Sequence, residues 1–223
     1  MDQDRPSAAV EGSPPLRPVR LLDNPVFDKF MAVLACTPFL FVLWLNLQAH
    51  SFDIPRIVLV LNILLQVGPM FARRPPVKVT QNLAFWLFSF ITTYWAFAAA
   101  VLAPRAPALV PGWITTGLSG LSLALLAYAR LSLGRSIGIV PALRRLVIHG
   151  AYRYVRHPIY TGTFLVYLGV ALSSFSWINC AVCLLGCALY MIKSVIEERF
   201  LSADPAYREY MRQVRWRWLP GVA

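Results

Sequence analysis

At 223 residues, 58% hydrophobic and 14% charged, the chain is too apolar for an ordinary soluble domain. A formal net charge of +11 is compatible with nucleic-acid binding. However, the basic residues sit between hydrophobic blocks, where lipid headgroups and topology account for them without a nucleic-acid partner. The four cysteines give no disulfide framework. Cys36 falls in the first apolar block, and Cys180, Cys183 and Cys187 share one helical face of the last, where thiols serve as small packing residues.

Residues 1–29 are polar and rich in proline, without the apolar core of a signal peptide, and read as a cytosolic tail. Four apolar blocks follow at about 30–47, 54–71, 82–102 and 113–133, each near the ~20 residues a helix needs to cross a bilayer. Pro38 and Pro69 predict kinks in the first two, and Gly117, Gly120 and Ala124 predict a close-packing surface on the fourth. Residues 144–162 then form the longest polar interruption, holding four arginines, His149 and His157. A short fifth segment (159–174) and a sixth (177–196) are joined by a polar turn containing Ser173, Ser174, Ser176 and Asn179, and so predict a helical hairpin. The C-terminal piece alternates aromatics such as Tyr207, Tyr210, Trp216 and Trp218 with basic residues, which predicts an interfacial amphipathic helix. The expected fold is all-α and polytopic, with about six transmembrane segments. It divides into a tail (1–29), four N-terminal helices (30–133) and a site-bearing region (134–223).

Six spans put both termini on one side. Nineteen of the 21 Lys and Arg residues fall there, against Arg56 and Arg105 opposite. The positive-inside rule therefore predicts that the termini and residues 144–162 face the cytosol, in a bacterial plasma membrane or a eukaryotic endoplasmic reticulum.

The polar stretch supports a particular chemistry. In Arg156-His157-Pro158-Ile159-Tyr160-Thr161-Gly162, Pro158 suits the first turn of the fifth helix. Arg156 and His157 then sit at a helix N-terminus, where amides and the dipole favour an anionic group. No Asp or Glu occurs between Asp53 and Glu197, where Glu197 and Glu198 end the gap together. Two carboxylates at a helix C-terminus oppose the dipole, which suggests that one accepts hydrogen bonds from a ligand's hydroxyls or ammonium. A hairpin of two helices of similar length would bring Tyr160 level with Glu197. Cations, tyrosines and a carboxylate together suit a small zwitterionic molecule. The three histidines, with His50 near the opposite face, are too dispersed for a metal site.

The runs Leu133-Gly134-Arg135-Ser136, Leu146-Val147, Gly150-x-Tyr152, Arg156-His157-Pro158-x-Tyr160-x-Gly162, Glu197-Glu198-x-x-Leu201, Tyr207-x-x-Tyr210 and Val214 resemble the isoprenylcysteine carboxyl methyltransferase family. Phospholipid N-methyltransferases share its C-terminal region, and the likeness covers about residues 133–221. The resemblance implies an integral-membrane methyltransferase that uses S-adenosylmethionine, with a lipid-like acceptor entering laterally from the bilayer. Carboxyl O-methylation of a prenylcysteine-like substrate is the implied reaction. By position it makes Leu146, Val147, Tyr152, His157, Pro158, Tyr160 and Glu197 cofactor contacts. Arg144 and Arg145 align with the start of a cofactor-contacting run, Lys193 becomes the acceptor contact, and Arg156 and Lys193 become the candidate catalytic residues.

Three departures stand out. Lys193 replaces the family's usual arginine, keeping the charge but losing the bidentate fork. Asp204-Pro205 and Val214-Arg215 replace the usual Phe-Gly and Val-Pro, changes expected to affect the tail more than the pocket. Methyl transfer from a sulfonium to a carboxylate or thiolate is an in-line displacement that needs no general base, so alignment supplies most of the rate. The alternatives are a phospholipid N-methyltransferase, a membrane NADPH-dependent reductase of the sterol-reductase type, and a non-enzymatic membrane protein. The reductase needs cations for a 2′-phosphate where Glu197 and Glu198 stand.

Overall fold

A computed structural model describes residues 24–48, 54–102, 104 and 106–221; residues 1–23 of the expected tail and His50 lie outside it. Among the described residues the helices are α1 (Pro25–Gln48), α2 (Ile54–Phe71), α3 (Leu83–Leu102), α4 (Gly112–Leu133), α5 (Pro158–Ser173), α6 (Trp177–Leu201) and α7 (Pro205–Gln213). Within α1, α4 and α6 are stretches long and apolar enough to cross a membrane, and α2, α3 and α5 contain shorter apolar ones. Large apolar side chains such as Phe41, Trp44, Leu121, Leu131, Leu184 and Ile192 point outward. That pattern suits lipid as solvent, and the fold is an all-α polytopic membrane protein, as its composition predicted.

Local chemistry sets the helix ends. Ser176 caps α6 by accepting from the Asn179 amide at 3.0 Å, and Asn179 Nδ2 donates to the Ser174 carbonyl at 2.6 Å, closing the predicted turn. Pro158 occupies the first turn of α5. Asp204 caps α7, with Pro205 in that helix's first turn. The Asp-Pro departure is thus a helix start.

Close packing falls elsewhere than the glycine spacing on α4 predicted. Gly117 and Gly120 face open space and Ala124 is exposed. The tight approaches are at Gly162, where a Cβ would lie 2.7 Å from Leu126 Cγ, and at Gly186, where it would lie 2.6 Å from Tyr167 Cζ. These contacts press α5 against α4 and α6 against α5. Cys183 is buried and Cys180 and Cys187 half-buried, all as free thiols.

Outside the helices, β1 (Lys78–Val79) pairs antiparallel with β2 (Ala142–Leu143), with Lys78 opposite Leu143. This short ladder was not predicted, since two residues leave no periodicity to read. It fastens the α2–α3 connection to the loop before residues 144–162. Asp28 ties the same region to α1. Its carboxylate accepts from Arg73 Nε and Nη2, both at 2.8 Å, and from Arg144 Nη2 at 2.9 Å. Since α1 starts at Pro25, Asp28 lies in its first turn, buried and anchored by two cations.

Asp28→Ala would leave Arg73 and Arg144 buried without their carboxylate, a loss of about 3–5 kcal/mol for a broken buried ion pair. Thermal unfolding of the purified protein should show a clear drop in Tm for this variant. Lys29→Ala, at an exposed position one residue on, should leave Tm unchanged.

Candidate active site

The hairpin of α5 and α6 sets Tyr160 beside the carboxylate pair: the Tyr160 hydroxyl donates to Glu197 Oε2 at 2.7 Å. The His157 ring stacks on Tyr160 with centroids 5.1 Å apart and planes 8° from parallel, and Tyr190 tilts against Tyr160 at 4.9 Å. Adjacent carboxylates on a helix point about 100° apart, so Glu197 and Glu198 meet different partners.

Glu198 turns into protein and is 4% exposed. It accepts from Arg156 Nε at 2.7 Å, Arg217 Nε at 3.0 Å and His157 Nε2 at 3.0 Å. Arg156 Nη1 also donates to the carbonyls of Val214 (2.8 Å) and Arg215 (2.6 Å). The backbone joins in: the Arg156 amide donates to Trp216 O and the His157 amide to Arg217 O, each at 2.9 Å. The C-terminal tail is therefore bound along the start of α5. Arg156, a candidate catalytic residue by its sequence position, has its donors engaged by Glu198 and by the Val214 and Arg215 carbonyls. The anion at this helix N-terminus is the chain's own Glu198.

Glu197 faces a cavity of about 220 Å³. Tyr152, His157, Tyr160 and Glu197 line it on one side, and Leu146, Val147, Arg144 and Arg145 line it from the polar stretch. Arg156 and Lys193 reach it as well. Pro158 does not; it is buried and orients the first turn of α5. His149 is exposed and stands apart.

Gly150 fixes the course of the polar stretch. Its φ is +61°, and a Cβ there would lie 2.2 Å from Ser132 Oγ, which accepts instead from the Ala151 amide at 3.2 Å. Tyr152 follows in a 3-10 turn, and its carbonyl accepts from the Tyr210 hydroxyl at 2.8 Å. Burial, reinforced by nearby Tyr210 and Glu197, pushes the Tyr152 phenol well above its ordinary range, so it stays a neutral donor at physiological pH. Burial pulls Arg144 down to about 10 while Asp28 opposes the shift, so Arg144 remains charged near neutrality.

Several lining residues were not expected. Residues 137–143 form part of the wall, and their short apolar run carries no chemical signal. Tyr207, Tyr210, Leu201 and Asp204 also line the cavity, so residues at the C-terminal end form part of its wall. Rather than only facing lipid, α7 buries Tyr207 and Tyr210 with Val214 against Leu146 and Leu201. From the other side come Thr93 of α3, Gln66 of α2 and Arg130 of α4. Arg130 had a readable signal: a cation inside an apolar block is expensive there and marks function. Among the described residues no group of His, Cys, Asp and Glu could hold a metal ion.

The arrangement offers a carboxylate acceptor, aromatic walls and cations around one cavity. That donor and acceptor set fits a molecule carrying hydroxyls or an ammonium together with an anionic group, as S-adenosylmethionine does.

Residues 113–207, from the start of α4 into α7, match the family model described as phospholipid methyltransferase. The matched stretch holds the hairpin, the polar stretch and Glu197, and it supports a membrane enzyme that is a methyltransferase. It supports that wider group rather than the isoprenylcysteine carboxyl methyltransferase family in particular. No curated protein matches the chain.

Glu198→Gln removes the charge that balances Arg156 and Arg217. It should free the tail, read as faster tryptic cleavage after Arg215 and Arg217 and as a lower Tm. Glu209→Gln, whose partner Arg212 is exposed, should alter neither.

Proposed function

We propose that the protein is an integral-membrane methyltransferase that takes S-adenosylmethionine as donor and a lipid-like molecule as acceptor. The single observation behind this reading is Glu197: a carboxylate held by Tyr160 on the wall of a cavity, inside the stretch that matches the methyltransferase family model. When bound, S-adenosylmethionine supplies an electrophilic methyl group on a sulfonium. Glu197 would accept hydrogen bonds from it, while Tyr152, His157, Tyr160, Leu146 and Val147 would enclose it. Pro158 would act indirectly, by setting the first turn of α5. Arg144 and Arg145 add positive charge on the same wall. The chain's contribution is alignment and exclusion of water rather than proton transfer.

The charge distribution favours a cavity that opens to the cytosol, with the acceptor arriving from the bilayer. Carboxyl O-methylation of a prenylcysteine-like acceptor follows from the motif resemblance. Phospholipid N-methylation is the second reading, favoured by the family description that residues 113–207 match.

Calorimetry with S-adenosylhomocysteine should show micromolar-range binding to the purified protein, and absence of heat at millimolar ligand would sink the proposal. Glu197→Ala and His157→Ala should each weaken that binding by about tenfold or more while the protein stays monodisperse. Normal binding by both variants would move the pocket elsewhere. Tritium transfer from labelled S-adenosylmethionine into a total lipid extract, followed by chromatography, identifies the acceptor class.

A further inference from the structure

The ladder between β1 and β2 gathers positive charge at one end of the helices. Arg74 follows the last turn of α2, Lys78 lies in β1, and Arg135 follows the last turn of α4. The Arg74 amide donates to the Arg135 carbonyl at 2.7 Å, and Arg135 Nε donates to the Ala72 carbonyl at 2.6 Å. Lys78 stands opposite Leu143, whose carbonyl accepts from the Val77 amide at 2.8 Å. Arg144 Nε reaches the Arg74 carbonyl at 3.1 Å. Two loops distant in sequence thus share one surface.

No carboxylate among the described residues answers this charge. Lys78 and Arg135 are exposed and Arg74 is half-buried, and none of the three forms an ion pair there. Asp28 beneath them is already shared by the buried Arg73 and Arg144, two cations on one carboxylate. Positive-inside topology needs cations on one side of the membrane. It does not need two loops to bring them into contact, where they repel one another and an anion relieves the repulsion. Beside the cations the surface turns apolar: Phe71 ends α2, Leu131 lies in the last turn of α4 and Val77 precedes Lys78, all three exposed. Phe71 and Leu131 belong to apolar stretches suited to the bilayer. Arg74 and Arg135, about one turn beyond them, therefore stand at the level of lipid phosphates.

We propose that Arg74, Lys78 and Arg135 seat the phosphate of an anionic glycerophospholipid from the surrounding leaflet, with its acyl chains along Phe71 and Leu131. Basic residues clustered where membrane helices end are the arrangement that takes such head groups. Arg74 and Arg135 offer planar donors that suit phosphate oxygens, and Lys78 adds a compact charge. The seat is separate from the cavity, which none of the three lines. Its lipid is a bound companion of the chain and not the methyl acceptor. The proposal stands whether or not the cavity takes S-adenosylmethionine.

The full chain, purified in a neutral detergent, is incubated with equal amounts of dioleoylphosphatidylglycerol and dioleoylphosphatidylcholine, and the retained lipid is counted by native mass spectrometry. The wild type should retain phosphatidylglycerol over phosphatidylcholine by about tenfold. Arg74→Gln and Lys78→Gln should each cut that preference by about threefold, and both with Arg135→Gln should abolish it. The single variants keep the readout if the triple one is unstable. Arg74→Lys, which retains the charge, should keep most of the preference. A control triple, Arg153→Gln with Arg199→Gln and Arg212→Gln, removes equal charge from exposed positions elsewhere and should leave it within about twofold. Millimolar inorganic phosphate should leave the lipid in place, and incubation with S-adenosylmethionine should leave its mass unchanged. Absence of preference in the wild type overturns the proposal, as does equal loss in the two triple variants. Displacement by phosphate would make the cluster a free-anion site, and gain of a methyl group would make the lipid the acceptor; either result overturns it too.

Discussion

A single buried carboxylate holds the site's framework together. Glu198 accepts hydrogen bonds from Arg156 and His157 at the start of α5 and from Arg217 in the tail. Two segments distant in sequence are thereby fixed about the last turns of α6. Charge-assisted bonds to a desolvated carboxylate are strong, and removing one partner strands the others, so the arrangement is held as a unit. With the tail bound to α5, Tyr207, Tyr210 and Asp204 become cavity wall. Without Glu198 no carboxylate among the described residues would pair with the two guanidinium groups there.

The neighbouring carboxylate has the opposite fate for a geometric reason. One residue along a helix is a rotation of about 100°, so Glu197 faces the cavity while Glu198 faces the tail. Among the described residues Glu197 accepts one hydrogen bond, from Tyr160, with the His157 Nδ1 3.9 Å away. It has acceptor capacity left for a ligand. The pair thus divides into one carboxylate that holds the structure and one that can bind.

On the far side of the cavity, the N-terminal helices supply what the motif-bearing region lacks. Asp28 on α1 anchors Arg73 and Arg144, and through Arg144 steadies the polar stretch. Asn62 on α2 and Thr93 on α3 orient Arg130 and Lys193. The family match begins at residue 113, so Asp28, Asn62 and Thr93 lie outside it.

Much of the architecture was legible in the residues. Apolar length located the six hydrophobic helices to within a few residues, because a bilayer imposes span length directly on composition. Pro158 marked the start of α5 and the hairpin placed Tyr160 level with Glu197, since both follow from local geometry. Other features had no local signal. Gly162 and Gly186 pack closely while Gly117 and Gly120 do not, because which helix face meets a neighbour depends on rotation within the bundle. Composition by itself determined an all-α membrane protein with a polar site at one end of its helices. Tertiary structure alone decided which carboxylate is buried, that Arg156 bonds Glu198 and the tail, and that Asp28, Asn62 and Thr93 reach the site region. Those outcomes rest on contacts between residues far apart in the chain, which no periodicity or spacing encodes.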